Sequence, residues 1–164
     1  MAITVTGSNP TVVTVVSATV TTDTLGTNPP NDRSYAIADD VVGIINPGVA
    51  VGGFGLEIQT LGNGRSLTFT NNGFINIDQA SEALLLTGNG PITYAGPGTL
   101  TNGGSGAALT IQTFQGTADV TVGGDLTASS GLPRTSRLST ASRSRSPPEP
   151  SSATRSATTS TRSR

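Results

Sequence analysis

The sequence predicts an all-β protein: a parallel β-helix of about 3–4 rungs followed by a disordered C-terminal tail. Three observations predict it. Residue types recur about every 25 positions between Gly55 and Ser130. Each repeat divides into three short runs suited to extended chain, separated by Gly or Asn-Gly. Both features stop near residue 131, where an arginine-rich composition takes over. A fixed period in this range is the mark of a repeat architecture rather than a compact globule.

The N-terminal segment, residues 1–33, is a cap or first rung. Ile3-Thr-Val-Thr alternates, and Thr11-Val-Val-Thr-Val-Val-Ser-Ala-Thr-Val-Thr-Thr is dense in β-branched residues. Such residues fit a pleated surface. Asn28-Pro-Pro-Asn-Asp closes the segment as a loop.

Residues 34–131 form the repeat zone. The first block is Gly55-Leu-Glu-Ile-Gln-Thr, Leu67-Thr-Phe-Thr and Gly73-Phe-Ile-Asn-Ile. The second is Ala83-Leu-Leu-Leu-Thr, Pro91-Ile-Thr-Tyr and Gly98-Thr-Leu-Thr. The third is Ala108-Leu-Thr-Ile-Gln-Thr, Asp119-Val-Thr-Val and Gly124-Asp-Leu-Thr. Leu84 and Leu109, Leu67 and Ile92, and Ile75 and Leu100 are each 25 apart. A less regular block precedes them, with Tyr35-Ala-Ile-Ala, Val41-Val-Gly-Ile-Ile-Asn and Gly48-Val-Ala-Val. Ala80-Ser-Glu-Ala-Leu-Leu-Leu has the makings of one helical turn, but Thr87-Gly-Asn-Gly stops it and the repeat alignment argues for strand.

In such a coil each strand pairs with its equivalent one turn later, about 4.8 Å away. Period-2 alternation places Leu56, Ile58, Leu84, Leu86, Leu109 and Ile111 inside. It places Glu57 and Thr110 in solvent, and Leu85 exposed. Asn63-Gly64, Asn72-Gly73, Asn89-Gly90 and Asn102-Gly103 are expected as corners because both residues tolerate positive φ. The rival architecture is a β-sandwich with turns every 8–12 residues, which has no need of recurrence at 25.

The tail, residues 132–164, has only Leu132 and Leu138 as large apolar residues. It cannot offset its chain entropy by burial and is expected to be disordered. All nine basic residues of the chain are Arg. Residues 1–131 hold nine acids with Arg33 and Arg65, a net of −7, whereas the tail holds seven Arg and Glu149, a net of +6. Arg, Ser, Thr, Pro and Ala are also what GC-rich coding DNA yields out of frame. One back-translation of 151–164, shifted by a base, gives Val-Val-Gly-Asp-Ala-Leu-Gly-Asn-Asp-Ile-Asn-Ala-Ile-Ser. The tail is therefore read as the product of a frameshift near Gly131.

Composition excludes several chemistries. The chain has no Cys, hence no disulfide or thiolate site, and no His, the commonest general base and metal ligand. No run of 18 apolar residues exists to span a membrane as a helix. Met1-Ala-Ile-Thr-Val-Thr-Gly lacks the basic start and apolar stretch of a secretory signal.

Thr70-Asn-Asn-Gly-Phe-Ile, Gly88-Asn-Gly-Pro-Ile-Thr-Tyr-Ala-Gly-Pro-Gly-Thr-Leu-Thr-Asn-Gly and Ala108-Leu-Thr-Ile resemble the passenger repeats of bacterial autotransporters, the type V secreted proteins. The resemblance covers about residues 34–131. It implies a right-handed β-helix at the cell surface or secreted, serving as a stalk or adhesin with host-surface or carbohydrate ligands. The chain departs from that family in lacking a signal peptide and a C-terminal membrane β-barrel, and in carrying a foreign tail, so it is read as a fragment.

Candidate chemistry is sparse, and no catalytic, cofactor-binding or metal-binding residue is assigned. Glu57, Asp78, Glu82, Asp119 and Asp125 are scattered through the repeat, although stacking brings Glu57 and Glu82 about one rung apart. Asp39-Asp40 is an acidic pair at a turn. Gly52-Gly-Phe-Gly and Gly103-Gly-Ser-Gly lack the Lys-Ser/Thr of a phosphate loop and are expected as corners. Arg143-Ser-Arg-Ser-Pro has charge for phosphates but no aromatic residue for bases, so no specific nucleic-acid partner is expected. The expected function is a non-catalytic structural or adhesive segment whose open strand edges favour self-association. The alternative is a β-helical carbohydrate-active enzyme or a tailspike-like carbohydrate-binding module.

Overall fold

Four complete turns of a β-solenoid make up the body of the chain. The computed structural model describes residues 3–25 and 32–129. Its fifteen strands are β1 (Ile3–Thr6), β2 (Thr11–Val15), β3 (Thr19–Leu25), β4 (Asp32–Ile37), β5 (Val41–Ile45), β6 (Ala50–Gly53), β7 (Leu56–Asn63), β8 (Leu67–Asn71), β9 (Phe74–Ile77), β10 (Leu84–Asn89), β11 (Ile92–Ala95), β12 (Thr99–Asn102), β13 (Leu109–Thr113), β14 (Ala118–Val120) and β15 (Leu126–Ala128). No helix occurs among the described residues.

Each of β4–β6, β7–β9, β10–β12 and β13–β15 is one turn. Their first strands stack in the order β4-β7-β10-β13, their second strands in the order β5-β8-β11-β14, and their third strands in the order β6-β9-β12-β15. All of these pairs are parallel. Outside β14 the ladder positions keep the repeat alignment: Leu56, Leu84 and Leu109 are consecutive partners, as are Leu67 with Ile92 and Ile75 with Leu100 with Leu126. Tyr35, Val41 and Val51 belong to the less regular first turn.

The N-terminal segment supplies a partial turn and a cap. β2 stacks on β5. β3 is long enough to pair with β6 through Thr19–Thr21 and with β4 through Thr22 and Leu25, joining two faces into one nine-stranded sheet. β1 folds back antiparallel on β2, pairing Ile3 with Val15. The expected loop at Asn28-Pro-Pro-Asn-Asp and the expected disorder of residues 132–164 lie outside the described residues.

The core is a set of aliphatic ladders along the axis. Leu56, Ile58, Leu67, Ile75, Leu84, Leu86 and Leu100 have no exposed surface. Burial of each such side chain is worth about 1.5–3 kcal/mol. On the second face Phe69 and Tyr94 stack with ring centroids 6.3 Å apart and planes within 8°. Gly43 precedes them in this row, and a Cβ there would enter the Phe69 ring.

Four details differ from the sequence expectation. Thr110 is buried rather than solvated. It is the register partner of Leu85 on the neighbouring strand, which is half-buried where alternation expected it exposed. The last middle strand is Ala118–Val120 rather than Asp119–Val122, with Ala118 opposite Ile92. β7 runs for eight residues, and the β10–β7 register shifts between Thr87 and Asn89.

The fourth concerns the Asn-Gly corners. Of the four, only Gly64 has positive φ, at 71°. Gly73, Gly90 and Gly103 have ordinary dihedrals. A Cβ on Gly73 would strike the Val49 carbonyl, one on Gly90 the Arg65 backbone, and one on Gly98 the Gly73 carbonyl and the Asn71 side chain. At these corners backbone lies directly on backbone, and glycine answers a lack of space between turns rather than a need for left-handed chain.

Candidate functional site

Among the described residues, charged side chains gather at two places, one at the starts of the first-face strands and one at the corner that follows them. The first surrounds Arg33, near the start of β4. Its Nη2 lies 3.4 Å from Glu82 Oε2 and 3.9 Å from Glu57 Oε2. Glu57 is on the following turn, and Glu82 lies two residues before β10, one turn further. The carboxylates that stacking was expected to set against each other thus share one guanidinium, whose planar donors suit carboxylate oxygens. The Arg33 side chain is 16% exposed and those of Glu57 and Glu82 22% and 34%, so the group is half-buried rather than laid open on a face.

The second surrounds Asp40. Its Oδ1 accepts from Ser66 N–H at 2.7 Å and Ser66 Oγ–H at 2.9 Å, and its Oδ2 from Arg65 Nη1 at 3.3 Å. These bonds hold its carboxyl below the ordinary carboxylate range, the Ser66 backbone N–H contributing most. Arg65 also donates to Asn9 Oδ1 at 3.4 Å, and Thr11 Oγ1 to Asp39 Oδ2 at 3.3 Å. The Asp39-Asp40 pair sits in the bend between β4 and β5, as expected of a turn. It ties the corner of its own turn to the corners above and below.

The remaining acids of the repeat do not converge. Asp78, Asp119 and Asp125 are exposed. Among the described residues, no three of His, Cys, Asp and Glu come together. The glycine run 52–55 spans the end of β6 and the corner into β7, with Gly53 and Gly55 at φ 78° and 83°. The run 103–106 forms the corner between β12 and β13. Both are corners, as their sequence implied. Arg143-Ser-Arg-Ser-Pro lies outside the described residues.

Two buried asparagines organise corners from within: Asn102, which the sequence reading placed in a turn dipeptide, and Asn71, to which it gave no role. Asn71 Oδ1 accepts from Gly73 N–H at 3.1 Å, and its Nδ2 donates to the Tyr94 hydroxyl at 3.5 Å. Asn102 Nδ2 donates to the Ser81 carbonyl at 2.7 Å, and its Oδ1 accepts from Gly104 N–H at 2.9 Å. Each satisfies backbone groups that a sharp turn leaves unpaired. Among the described residues, two interior hydroxyls, those of Tyr35 and Thr60, have no hydrogen-bond partner. Burial, with the nearby Asp32 charge, pushes the Tyr35 phenol up to about 12.

The outward rows complete the surface. Thr68, Thr93 and Asp119 are successive partners on one face, and Asn76, Thr101 and Thr127 on another. Comparison with protein-family models, with curated proteins and with solved structures returns no match for this chain.

Proposed function

We propose that the chain is a non-catalytic structural or adhesive repeat segment of an autotransporter-like passenger, displayed at a cell surface or secreted. The observation that carries this reading is the ruled polar surface. The rows Thr68–Thr93–Asp119 and Asn76–Thr101–Thr127 present short polar side chains at one rung spacing, about 4.8 Å. Hydroxyl and amide groups on a stiff lattice suit many weak contacts with a carbohydrate or host surface. The charged groups support the same reading, since Arg33 and Asp40 join turn to turn. The test exposes the whole chain to immobilised polysaccharides and glycosaminoglycans. Retention without release of new sugar ends is the expected outcome, and turnover would overturn the reading.

One observation favours a β-helical carbohydrate-active enzyme or carbohydrate-binding module instead. Glu57 and Glu82 approach one arginine, and paired carboxylates are the machinery of glycoside hydrolysis. Turnover abolished by both Glu57→Gln and Glu82→Gln would establish that alternative.

A further inference from the structure

We propose that the last turn, β13–β15, is a self-complementary edge through which two copies of this chain pair tail to tail as a closed dimer. The proposal goes beyond the adhesive reading and stands on different observations. Among the described residues, β13, β14 and β15 are the terminal strands of their sheets. The hydrogen bonds they make inward fix which backbone groups remain. Ile92 N–H donates to the Thr117 carbonyl and Thr121 N–H to the Tyr94 carbonyl, both at 2.8 Å. Leu100 N–H donates to the Asp125 carbonyl at 2.9 Å and Ser129 N–H to the Asn102 carbonyl at 3.0 Å. A parallel ladder alternates residue by residue between its two neighbours. The N–H and C=O groups of Ala118, Val120, Leu126 and Ala128 therefore point away from the stack.

Two of these strands are only three residues long and β14 carries the exposed Asp119, yet the edge lacks its strongest guards. The three strands contain no Lys, Arg or Pro, the residues that ordinarily guard one. Exposed apolar side chains border it: Phe114 at 68%, Val120 at 44% and Val122 at 43%. The chain that follows is a poor further rung, since residues 133–164 offer one large apolar residue, Leu138, against seven arginines. A second copy offers three edges of matching spacing.

The geometry selects the mode of pairing. At the N-terminal end β1 runs antiparallel to the stack, and β3 passes continuously from one face to the next. A last turn made of three separate strands does not match that end, so head-to-tail stacking is disfavoured. A two-fold axis instead sets the last turn against itself in antiparallel pairing. That contact is isologous and closes at two copies.

The experiment is sedimentation equilibrium on the whole chain and on Val120→Pro. Proline there removes an outward N–H and no bond to β11. The expected result is a dimer that dissociates on dilution, and a Val120→Pro chain that is monomeric with an unchanged far-UV spectrum. Thr127→Lys, at an exposed side chain, is the companion variant. It is expected to weaken association at least tenfold at low salt, with recovery at high salt. A wild-type monomer at every concentration, open-ended polymers, or undiminished dimers of both variants would overturn the proposal. So would a wild-type monomer that dimerises only after residues 130–164 are removed, since the chain would then cover its own edge.

Discussion

Arg33 and Glu82 are 49 residues apart in the chain and 3.4 Å apart in space, with a whole turn of solenoid between them. The link is longer than the nearest-neighbour contact that defines repeat proteins. A double-mutant cycle with Arg33→Ala and Glu82→Ala is expected to give a coupling of about 0.5–1 kcal/mol, modest because both side chains retain solvent. The coupling should shrink in 1 M salt. Strict additivity of the two substitutions would show that the contact carries no energy.

Ladder positions and surface positions should separate sharply. Leu84→Ala opens a cavity between Leu56 and Leu109 and is expected to cost about 2–5 kcal/mol. Thr68→Ala, at an exposed position on β8, should cost about 0.5 kcal/mol or less. Urea titration of both measures this, and equal losses would refute the register.

Glycines of two kinds should respond differently to the same methyl group. Gly98→Ala drives a Cβ into the Gly73 carbonyl and the Asn71 amide and is expected to cost about 2–3 kcal/mol, as overpacking does. Gly64→Ala meets open space and suffers only from its φ of 71°, costing about 1 kcal/mol. A larger loss at Gly64 would reverse the assignment of these corners.

Asp40 should impart an acid sensitivity. Its carboxyl is held below its ordinary value by Ser66 and Arg65, so the unfolded chain takes up that proton first. The contribution is present in full above the unfolded value of about 3.9 and is lost as pH falls through the folded value. Melting temperature measured from pH 6 to pH 2 should fall less steeply for Asp40→Asn than for wild type. Parallel curves would count against the Ser66 contacts.

Tyr35 should act at the other end of the scale. Its folded value of about 12 exceeds the ordinary value of about 10. Stability is therefore complete below pH 10 and lost as pH rises toward 12. Tyr35→Phe removes this loss, leaving the smaller share due to Tyr94, whose phenol is also raised by burial. It also removes a buried hydroxyl without a partner, so a gain of about 1 kcal/mol is expected at pH 7. Destabilisation at neutral pH would mean that the hydroxyl is satisfied in solution.

The solenoid was legible because ladder positions obey one rule, alternation, repeated at one period. Leu56, Leu84 and Leu109 announce their stacking, and so do Ile75, Leu100 and Leu126. Corners were legible as corners but not in their cause. Gly73 and Gly64 follow asparagine alike, and only the backbone of the adjacent turn distinguishes a crowded glycine from a left-handed one. The charged contacts were illegible for a related reason. Arg33 reaches its partners off the strand register, so no period relates it to Glu82. Its one signal was scarcity, since Arg33 and Arg65 are the two cations among 131 residues and each found a carboxylate. Burial of Thr110 was likewise illegible, because alternation along one strand says nothing of what covers its outward row.

The winding also fixes an exchange rate between chain and length. Each turn of about 25 residues advances about 4.8 Å along the axis, whereas the same residues fully extended would reach about 80–90 Å. Four turns therefore make a block only about 20 Å tall. As a spacer this is a poor use of polypeptide. What the winding yields is breadth and stiffness: three faces whose outward side chains are held at a common pitch, so that moving a feature outward requires whole turns and cannot be done by a residue or two.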